Sequence, residues 1–271
     1  MAALLPPRDW TSIHWPDFAG ADPARWIAVL PLAATEQHGP HLPLGTDVMI
    51  AQAHLERVRE LLPDSIPATF LPIQPVGIST EHIGYPGTLT LPTDVALKTW
   101  MALGESVARA GLRKLVMVTS HGGNSAAMTL VAQDLRAQYG LLAVTTGWYR
   151  FGAPQGLFSA EELRHGIHGG AVETSIMLAR YPEAVRGDGI SDFRSSGLAM
   201  EKDYRWLSAN RPAPFAWQVQ DLHASGAVGD ATQASAEKGE RLLDHSARAF
   251  CELLADVDKF DPATLSDRPK A

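Results

Sequence analysis

Short apolar runs and amphipathic segments alternate along most of the chain. Continuous apolar runs that end at polar turn residues predict buried strands at 26–32, 68–77, 114–120 and 141–149. Apolar residues at helical spacing predict helices at 48–62, 93–111, 125–140, 169–182 and from Ala231 to about Asp256. Strands that alternate with helices are typical of a mostly parallel sheet covered on both faces, so we expect an α/β fold.

The stretch from about 187 to 226 departs from this alternation. It carries several aromatic, serine, arginine and proline residues without clear periodicity. We interpret it as an irregular excursion that covers the functional site or packs on another subunit. Because the chain contains no internal repeat and no low-complexity linker, we expect one domain over residues 1–271.

The composition of the chain argues against two classes of binding partner, nucleic acids and membranes. The chain of 271 residues has a formal net charge of -7 and no lysine and arginine cluster, which argues against nucleic acid. No apolar run approaches the roughly 20 residues of a membrane span, and the N-terminus lacks a signal-peptide pattern. We therefore expect a cytoplasmic protein without a membrane partner. The single cysteine, Cys251, lies in a helical apolar pattern and is expected to pack rather than react.

Acidic and histidine side chains concentrate in three loops that contain glycine. The first, "TEQHGPHLPLGTD" at 35–47, follows the first predicted strand, and the second, "TSHGGN" at 119–124, follows the third strand. The third loop, "HGGAVETS" at 168–175, opens a predicted helix. Because loops at the carboxyl ends of parallel strands meet at one sheet edge, we expect their side chains to lie together. These side chains are Glu36, His38, His41, Asp47, His121, His168 and Glu173.

The mixture of carboxylates and imidazoles, without cysteine, favours divalent zinc, manganese or iron(II). Glu36 and His38 are two residues apart, so in an extended segment they point the same way. Asp47 is the natural carboxylate to bridge two ions, whereas Glu173 lies near a helix start, where the geometry is less defined. Each residue alone is more typical of a turn or a cap, but the joint pattern favours a metal-dependent hydrolase.

Glycines beside the second of these loops suggest a further role. Gly122 and Gly123 allow a sharp strand-to-helix turn and leave room beside His121. Free backbone N–H groups at this helix start are suited to stabilise an anionic oxygen, or Asn124 caps the helix instead. Three histidines outside the loops are interpreted as structural: His14, His54 and His245.

At these residues the sequence resembles the creatininase (creatinine amidohydrolase) family. Four segments match its signatures in order: "LPLAATEQHGPHLPLGTD", "STEHIGYPGTLTL", "SHGGN" and "HGGAVETSIML". The segment "GAVGDATQASAEKGERLL" resembles the C-terminal helix region of the family, so the likeness runs from about residue 26 to 250. The resemblance implies a three-layer α/β/α fold, two divalent metal ions per subunit, and hydrolysis of small or peptide-like C–N bonds. It also implies a homo-oligomer, commonly a hexamer.

Site roles follow from the same resemblance. By position, Glu36 and His121 would bind one ion, His38 the other, and Asp47 both, while His168 would transfer the proton. Glu81 and His82 would line the pocket or orient ligands, and a structural role for this pair is equally open. The positions expected around the substrate are Glu81, His82, Tyr85, Gly122, Gly123, Trp148 and Arg164.

Two departures from creatininase itself bear on the site. Creatininase has a glutamate two residues after the third-motif histidine, where this chain and the His-Gly-Gly-Asn branch of the family have glycine, here Gly123. We hypothesise that Glu173 replaces that ligand and so belongs to the catalytic set. Creatininase also has a tryptophan that closes over creatinine where this chain has Arg164, although Trp148 matches a nearby aromatic residue. We therefore expect a different amide, with a negative group that Arg164 meets.

The resulting functional hypothesis is a metal-dependent amidohydrolase. A water activated by metal would attack a carbonyl or formyl carbon, and His168 would protonate the departing nitrogen. The alternatives are a formamide deformylase and a peptidase of the mycofactocin-maturation kind, since both occur with the His-Gly-Gly-Asn motif. Creatinine hydrolysis ranks lower because of Arg164, and a metal-binding scaffold ranks last because it needs no proton donor.

Overall fold

A four-stranded parallel sheet forms the centre of the protein. The computed structural model of the chain describes residues 5–20 and 22–266. The strands lie in the order β2-β1-β3-β4, and every neighbouring pair is parallel. They are β1 (Ile27–Leu32), β2 (Ala68–Phe70), β3 (Lys114–Thr119) and β4 (Leu142–Gly147). All four predicted strands are confirmed, but β2 is short because Pro72 and Pro75 supply no backbone donor beyond it.

Helices cover the sheet on both faces, as the alternation predicts. Side chains of β1 point alternately to the two sides, so Leu30 packs with Trp100 and Val29 packs with Phe250. The helices are α1 (Asp17–Gly20), α2 (Thr46–Leu61), α3 (Thr93–Arg109), α4 (Ser125–Tyr139), α5 (Ala160–His165), α6 (Ala171–Arg180), α7 (Gly197–Asp203), α8 (Val219–Leu222) and α9 (Ala236–Lys259). Helices α3 and α4 form one outer layer, α2 and α9 form the other, and α6 packs on α9. The three-layer α/β/α architecture is confirmed.

The last long helix begins later than its apolar pattern predicts. The side chain of Asp230 accepts a hydrogen bond from the backbone of Thr232 and caps a short 3-10 turn over Ala231–Gln233. Ser235 then caps α9 by accepting from the N–H of Lys238. Two successive caps thus move the helix start from 231 to 236. Among the described residues, no helix has both the length and the apolar character needed to cross a membrane.

The excursion at 187–226 consists of short elements that pack on the second motif. It contains α7, α8, β5 (Asp192–Phe193), β6 (Leu207–Ser208) and β7 (Ala213–Pro214), and β5 pairs with β8 (Gly229–Asp230). The hydroxyl of Tyr85 donates to the carbonyl of Ala224 at 2.9 Å, and Nε2 of Gln218 donates to the carbonyl of Thr80 at 3.0 Å. The excursion therefore covers the loop that carries Glu81 and His82. Contact with another subunit stays a prediction.

Candidate metal centre

The carboxyl ends of β1 and β3 bring two of the predicted loops together. Glu36 and His38 follow β1, Asp47 lies in the first turn of α2, and His121 follows β3. The four side chains are almost completely buried. The hydroxyl of Ser120 donates to the carbonyl of Asp47 at 2.8 Å and links the two loops directly. Residues distant in sequence thus share one interior site, in the position expected for a parallel sheet.

Two groups of potential ligands share Asp47. In one, Nδ1 of His121 lies 3.1 Å from Oε1 of Glu36 and 3.6 Å from Oδ2 of Asp47. In the other, Nε2 of His38 lies 3.8 Å from Oδ1 of Asp47 and 3.9 Å from Oε2 of Glu173. Within each group the potential ligand atoms all lie within 4.8 Å of one another. Asp47 therefore presents one carboxylate oxygen to each group.

Several polar atoms of this cluster have no hydrogen-bond partner among the residues that the structure describes. Both carboxylate oxygens of Glu36, Nε2 of His38 and Oδ2 of Asp47 are buried and unpaired. Leaving such atoms unpaired costs free energy, because burial has removed the water that would otherwise bind them. A divalent cation is the partner that oxygen and imidazole donors share, so these residues fit a metal ion.

Backbone carbonyls fix the orientation of three imidazoles. Nδ1 of His38 lies 3.0 Å from the carbonyl of Glu36, Nε2 of His121 lies 2.7 Å from that of Ile78, and Nε2 of His168 lies 2.6 Å from that of Gln37. A carbonyl only accepts, so these nitrogens carry the protons. In the neutral imidazoles the opposite nitrogens carry the lone pair and face the carboxylates, which is the arrangement that metal-binding histidines need.

Opposing charges shift the titration of the cluster. Burial alone would raise the pKa of Glu36, but the positive charge of protonated His121 outweighs this effect and lowers that pKa. Burial disfavours protonated His38, yet the charge of Asp47 raises its pKa to about 9. Burial also raises the pKa of Glu173 to about 7 against the opposing charge of His38. Protons and cations thus compete for the same atoms.

His168 reaches the cluster from the fourth motif. Its backbone exchanges two hydrogen bonds with Val228, at 3.1 and 2.6 Å, which fix the loop before α6. Its ring lies between those of His38 and His82, with both centroid separations at 4.1 Å. Nδ1 of His168 lies 3.7 Å from Oε1 of Glu36, and these two residues with His38 form a third possible ligand group.

The second motif contributes two more polar side chains. Nε2 of His82 lies 3.4 Å from Oε1 of Glu36, and Oε1 of Glu81 lies 3.4 Å from Nε2 of His121. A side chain at Gly123 would collide with His121 and with the Glu81 carboxylate. This arrangement has no room for a glutamate at residue 123. The backbone at Gly122, in contrast, faces open space.

Other predicted site residues make their recorded contacts outside the cluster. Trp148 is buried against His54 and Phe250, with ring centroids 4.3 and 4.8 Å away. Arg164 is exposed, and its Nε donates to Oε1 of Glu201 at 2.6 Å. Tyr85 uses its hydroxyl to hold the excursion, as described above. The structure thus places Trp148 in the core and Arg164 in a surface ion pair.

His41 and Asn124 join the motifs to one another. His41 lies 2.9 Å through Nε2 from the Thr174 hydroxyl, and burial lowers the pKa of His41 to about 4. Asn124 makes no capping hydrogen bond, so the cap interpretation is wrong. Its side chain accepts from the N–H of Ile78 at 3.0 Å and donates to the carbonyl of Ala33 at 3.1 Å. Asn124 therefore links the first three motifs.

Sequence reasoning missed two buried residues of the site. Gln37 stands between Glu36 and His38 and reaches His82, and Glu162 binds the backbone beside His168. Glutamine carries no metal or acid–base signal, and Glu162 lies in an ordinary helical pattern. The position of Gln37 between two potential ligands was the only available signal.

Sequence comparisons relate the chain to one protein family and to known hydrolases. The family profile described as creatininase, creatinine amidohydrolase, matches residues 11–254. The mycofactocin precursor peptide peptidase of Mycobacterium tuberculosis is 32% identical over 228 residues, covering 79% of this chain and 79% of the relative. The creatinine amidohydrolase of Pseudomonas putida is 28% identical over 246 residues, covering 85% of this chain and 89% of the relative.

Solved structures support the same relationship. A crystal structure of creatinine amidohydrolase (creatininase) has a TM-score of 0.74 at 24% identity, over 96% of this chain and 100% of that chain. Two further creatininase structures, one described with Mn and one as Zn-Zn type, are 25% identical and have TM-scores of 0.72 and 0.73. Each covers 93% of this chain and 98% of its own. The chain therefore belongs to the creatininase family of amidohydrolases.

Proposed function

We propose that the protein is a dinuclear metal-dependent hydrolase that cleaves an amide C–N bond. The observation that carries the proposal is the buried, unpaired set of donor atoms on Glu36, His38 and Asp47. Glu36, Asp47 and His121 would hold one divalent ion, and His38, Asp47 and Glu173 the other. Zinc, manganese and iron(II) all suit these donors.

The chain's own residues divide the remaining tasks. Bound divalent ions would supply Lewis acidity toward the scissile carbonyl and make a water molecule more acidic. His168 keeps its proton on Nε2 by donating to Gln37, so Nδ1 is the atom that takes up a proton and passes it to the departing nitrogen. Burial and neighbouring positive charge lower the pKa of His168, which supports a neutral imidazole as the starting state.

A peptide-like amide is the substrate that we favour. The support is the 32% identity to the mycofactocin precursor peptide peptidase. A formamide remains the second candidate, because the same His-Gly-Gly-Asn motif serves both chemistries. Creatinine ranks lower because Arg164 stands where creatininase has its tryptophan. An Arg164 contact with a negative substrate group would require Arg164 to exchange its present partner, Glu201.

Metal removal and one substitution test the proposal. We expect amide hydrolysis, screened on short peptides, formamides and lactams, to stop with a chelator and to return with zinc or manganese. Asp47→Ala should lose metal and activity together, whereas Asp64→Ala, at a fully exposed aspartate, should retain both. Full activity in the metal-depleted protein or in Asp47→Ala would refute the mechanism.

A second substitution separates proton transfer from metal binding. His168→Ala should retain metal and lose turnover, whereas His14→Ala, at an exposed histidine, should change neither. Metal content is measured by elemental analysis of the purified proteins. Loss of metal in His168→Ala would instead place His168 in the third ligand group.

The proposal includes a homo-oligomer, a hexamer by resemblance. Large apolar side chains are exposed on the described surface, among them Trp15 at 82%, Trp206 at 62% and Ile83 at 59%. Apolar side chains of this kind mark a contact with another protein surface where they form a contiguous patch. Light scattering should give a mass well above the 29.2 kDa of one chain, and a monomer mass would contradict this part.

A further inference from the structure

The Gln37 side chain is held in one orientation at the centre of the site. Only 6% of Gln37 is exposed. Its Oε1 accepts from the N–H of Gly39 at 2.9 Å, and its Nε2 donates to the carbonyl of Gly226 at 2.8 Å. If the amide were turned by 180°, its NH2 group would face the N–H of Gly39 and its oxygen would face the carbonyl of Gly226, and both hydrogen bonds would be lost. The end that faces His82 is therefore the NH2 group.

This orientation decides where His82 carries its proton. Nε2 of Gln37 lies 2.8 Å from Nδ1 of His82, and an NH2 group only donates, so Nδ1 accepts and is unprotonated. The proton of neutral His82 then sits on Nε2, which lies 3.4 Å from Oε1 of Glu36. Nε2 of Gln37 also lies 3.3 Å from Nε2 of His168. The His168 nitrogen already donates to the backbone carbonyl of Gln37, so it does not accept from the Gln37 amide.

His82 thus differs from the three other imidazoles of the cluster. Backbone carbonyls fix the proton of His38, His121 and His168 on the nitrogen that points away from the potential ligand carboxylates, so the neutral rings direct a lone pair at them. His82 directs an N–H group at Glu36 instead. We propose that Gln37 is a positioning residue that keeps the Nε2–H group of His82 directed at Glu36, 3.4 Å from Oε1, so that His82 orients a metal ligand and does not become one. The functional consequence rests on the proposed metal site.

Histidine tautomers in the metal-free full chain test the assignment directly. In 15N-histidine-labelled protein, long-range 1H–15N spectra distinguish a protonated from a bare ring nitrogen. We expect His82 to be protonated at Nε2 and bare at Nδ1. A proton on Nδ1 of His82 would overturn the proposal, and this measurement needs no variant.

The role of Gln37 is tested by Gln37→Met, which keeps the size of the side chain and removes its donors. We expect His82 to populate both tautomers in this variant, while His38 and His121 keep the proton that each donates to a backbone carbonyl. An unchanged His82 tautomer in folded Gln37→Met would overturn the role of Gln37. Gln74→Met is the matched control, because within the described part of the chain the Gln74 side-chain amide hydrogen-bonds only to the nearby Pro72 carbonyl, at 2.9 Å.

Zinc affinity, measured by competition with a chromophoric chelator, tests the link to the metal site. Losing a partner that orients a ligand typically weakens binding about 10–100-fold. We expect this loss in Gln37→Met and in His82→Gln, and no larger loss when both are combined, because they act through one hydrogen bond. Losses that multiply would overturn the proposal. If the parent protein bound no zinc, the metal site would fail while the tautomer result would stand.

Discussion

At the scale of single residues, a glycine sets the space in which the Gln37 amide lies. Gly226 has a φ of +82°, in the region that favours glycine, and its carbonyl accepts from Gln37. A Cβ at this position would overlap Oε1 of Gln37. We expect Gly226→Ala to lower the free energy of unfolding by about 2–4 kcal/mol in urea titrations, from backbone strain plus overpacking.

A second glycine separates these two causes. Gly156 has a φ of +74°, but a Cβ there would meet no atom within 4 Å. Gly156→Ala therefore carries the backbone strain alone and should lose only about 1 kcal/mol. Equal losses in the two variants would show that the Gln37 contact contributes nothing to stability.

His54 makes stability depend on pH at a position away from the cluster. Its Nδ1 donates to the Ile50 carbonyl at 2.9 Å, and burial lowers the pKa of His54 to about 4. The unfolded chain, with a histidine pKa near 6.5, takes up the proton first as pH falls. We expect the free energy of unfolding to fall between pH 6.5 and 4, by about 3 kcal/mol from this group.

The matched variant isolates this contribution. His54→Gln removes the titration and keeps a polar side chain, so its unfolding free energy should fall less steeply across the same pH range. Denaturant titrations at several pH values give the difference between the two proteins. Parallel curves would mean that His54 is not the group responsible.

At the scale of elements, Glu162 in α5 holds the loop before α6. Its carboxylate accepts from the N–H of Ala171 at 2.6 Å and from that of Asp230 at 2.8 Å. The start of α6, just after the segment that carries His168, and the neighbouring strand β8 therefore both depend on one buried side chain. Three glycines leave room for this carboxylate: Gly166, Gly170 and Gly229.

Removing this carboxylate should destabilise the fold more than removing its neighbour. We expect Glu162→Ala to lower the free energy of unfolding by about 3 kcal/mol, since it leaves buried N–H groups without a charged acceptor. Glu161→Ala, at an exposed residue 3.8 Å from Arg194, should change it by less than about 0.5 kcal/mol. Similar losses in urea titrations would contradict the role of Glu162.

The sequence predicts the strands and the loops of the site, but it does not predict all the side-chain contacts within the site. Apolar runs predict β1 and β3, and the loops after these strands predict that Glu36 and His121 meet. Contacts that depend on side-chain orientation leave no such pattern. The sequence around Trp148 resembles that of a pocket aromatic residue, but Trp148 packs in the core, and tryptophan suits either place. Asn124 precedes a helix, as a capping residue does, but its side chain links three loops, and asparagine can make either set of hydrogen bonds.

At the scale of the whole molecule, the cluster of carboxylates lowers the stability of the metal-free protein, and a bound cation would raise it. Buried Glu36, Asp47 and Glu173 repel one another, and some of their atoms have no partner. A ligand that binds only the folded state at 100 times its Kd adds about 2.7 kcal/mol. We therefore expect zinc or manganese to raise the thermal unfolding temperature of chelator-treated protein by several degrees.

Asp47→Asn should lose most of the thermal stabilisation that zinc gives to the parent protein. The amide removes both the repulsion from Glu36 and the attraction to His38, so without metal this variant should unfold within a few degrees of the parent. With zinc, the parent should become the more stable protein, because the uncharged amide of the variant cannot offer an anionic oxygen to each of two ions. Asp64→Asn should follow the parent in both conditions. Equal zinc-induced shifts in Asp47→Asn and the parent would mean that the Asp47 carboxylate does not bind the ion, whatever the activity measurements show.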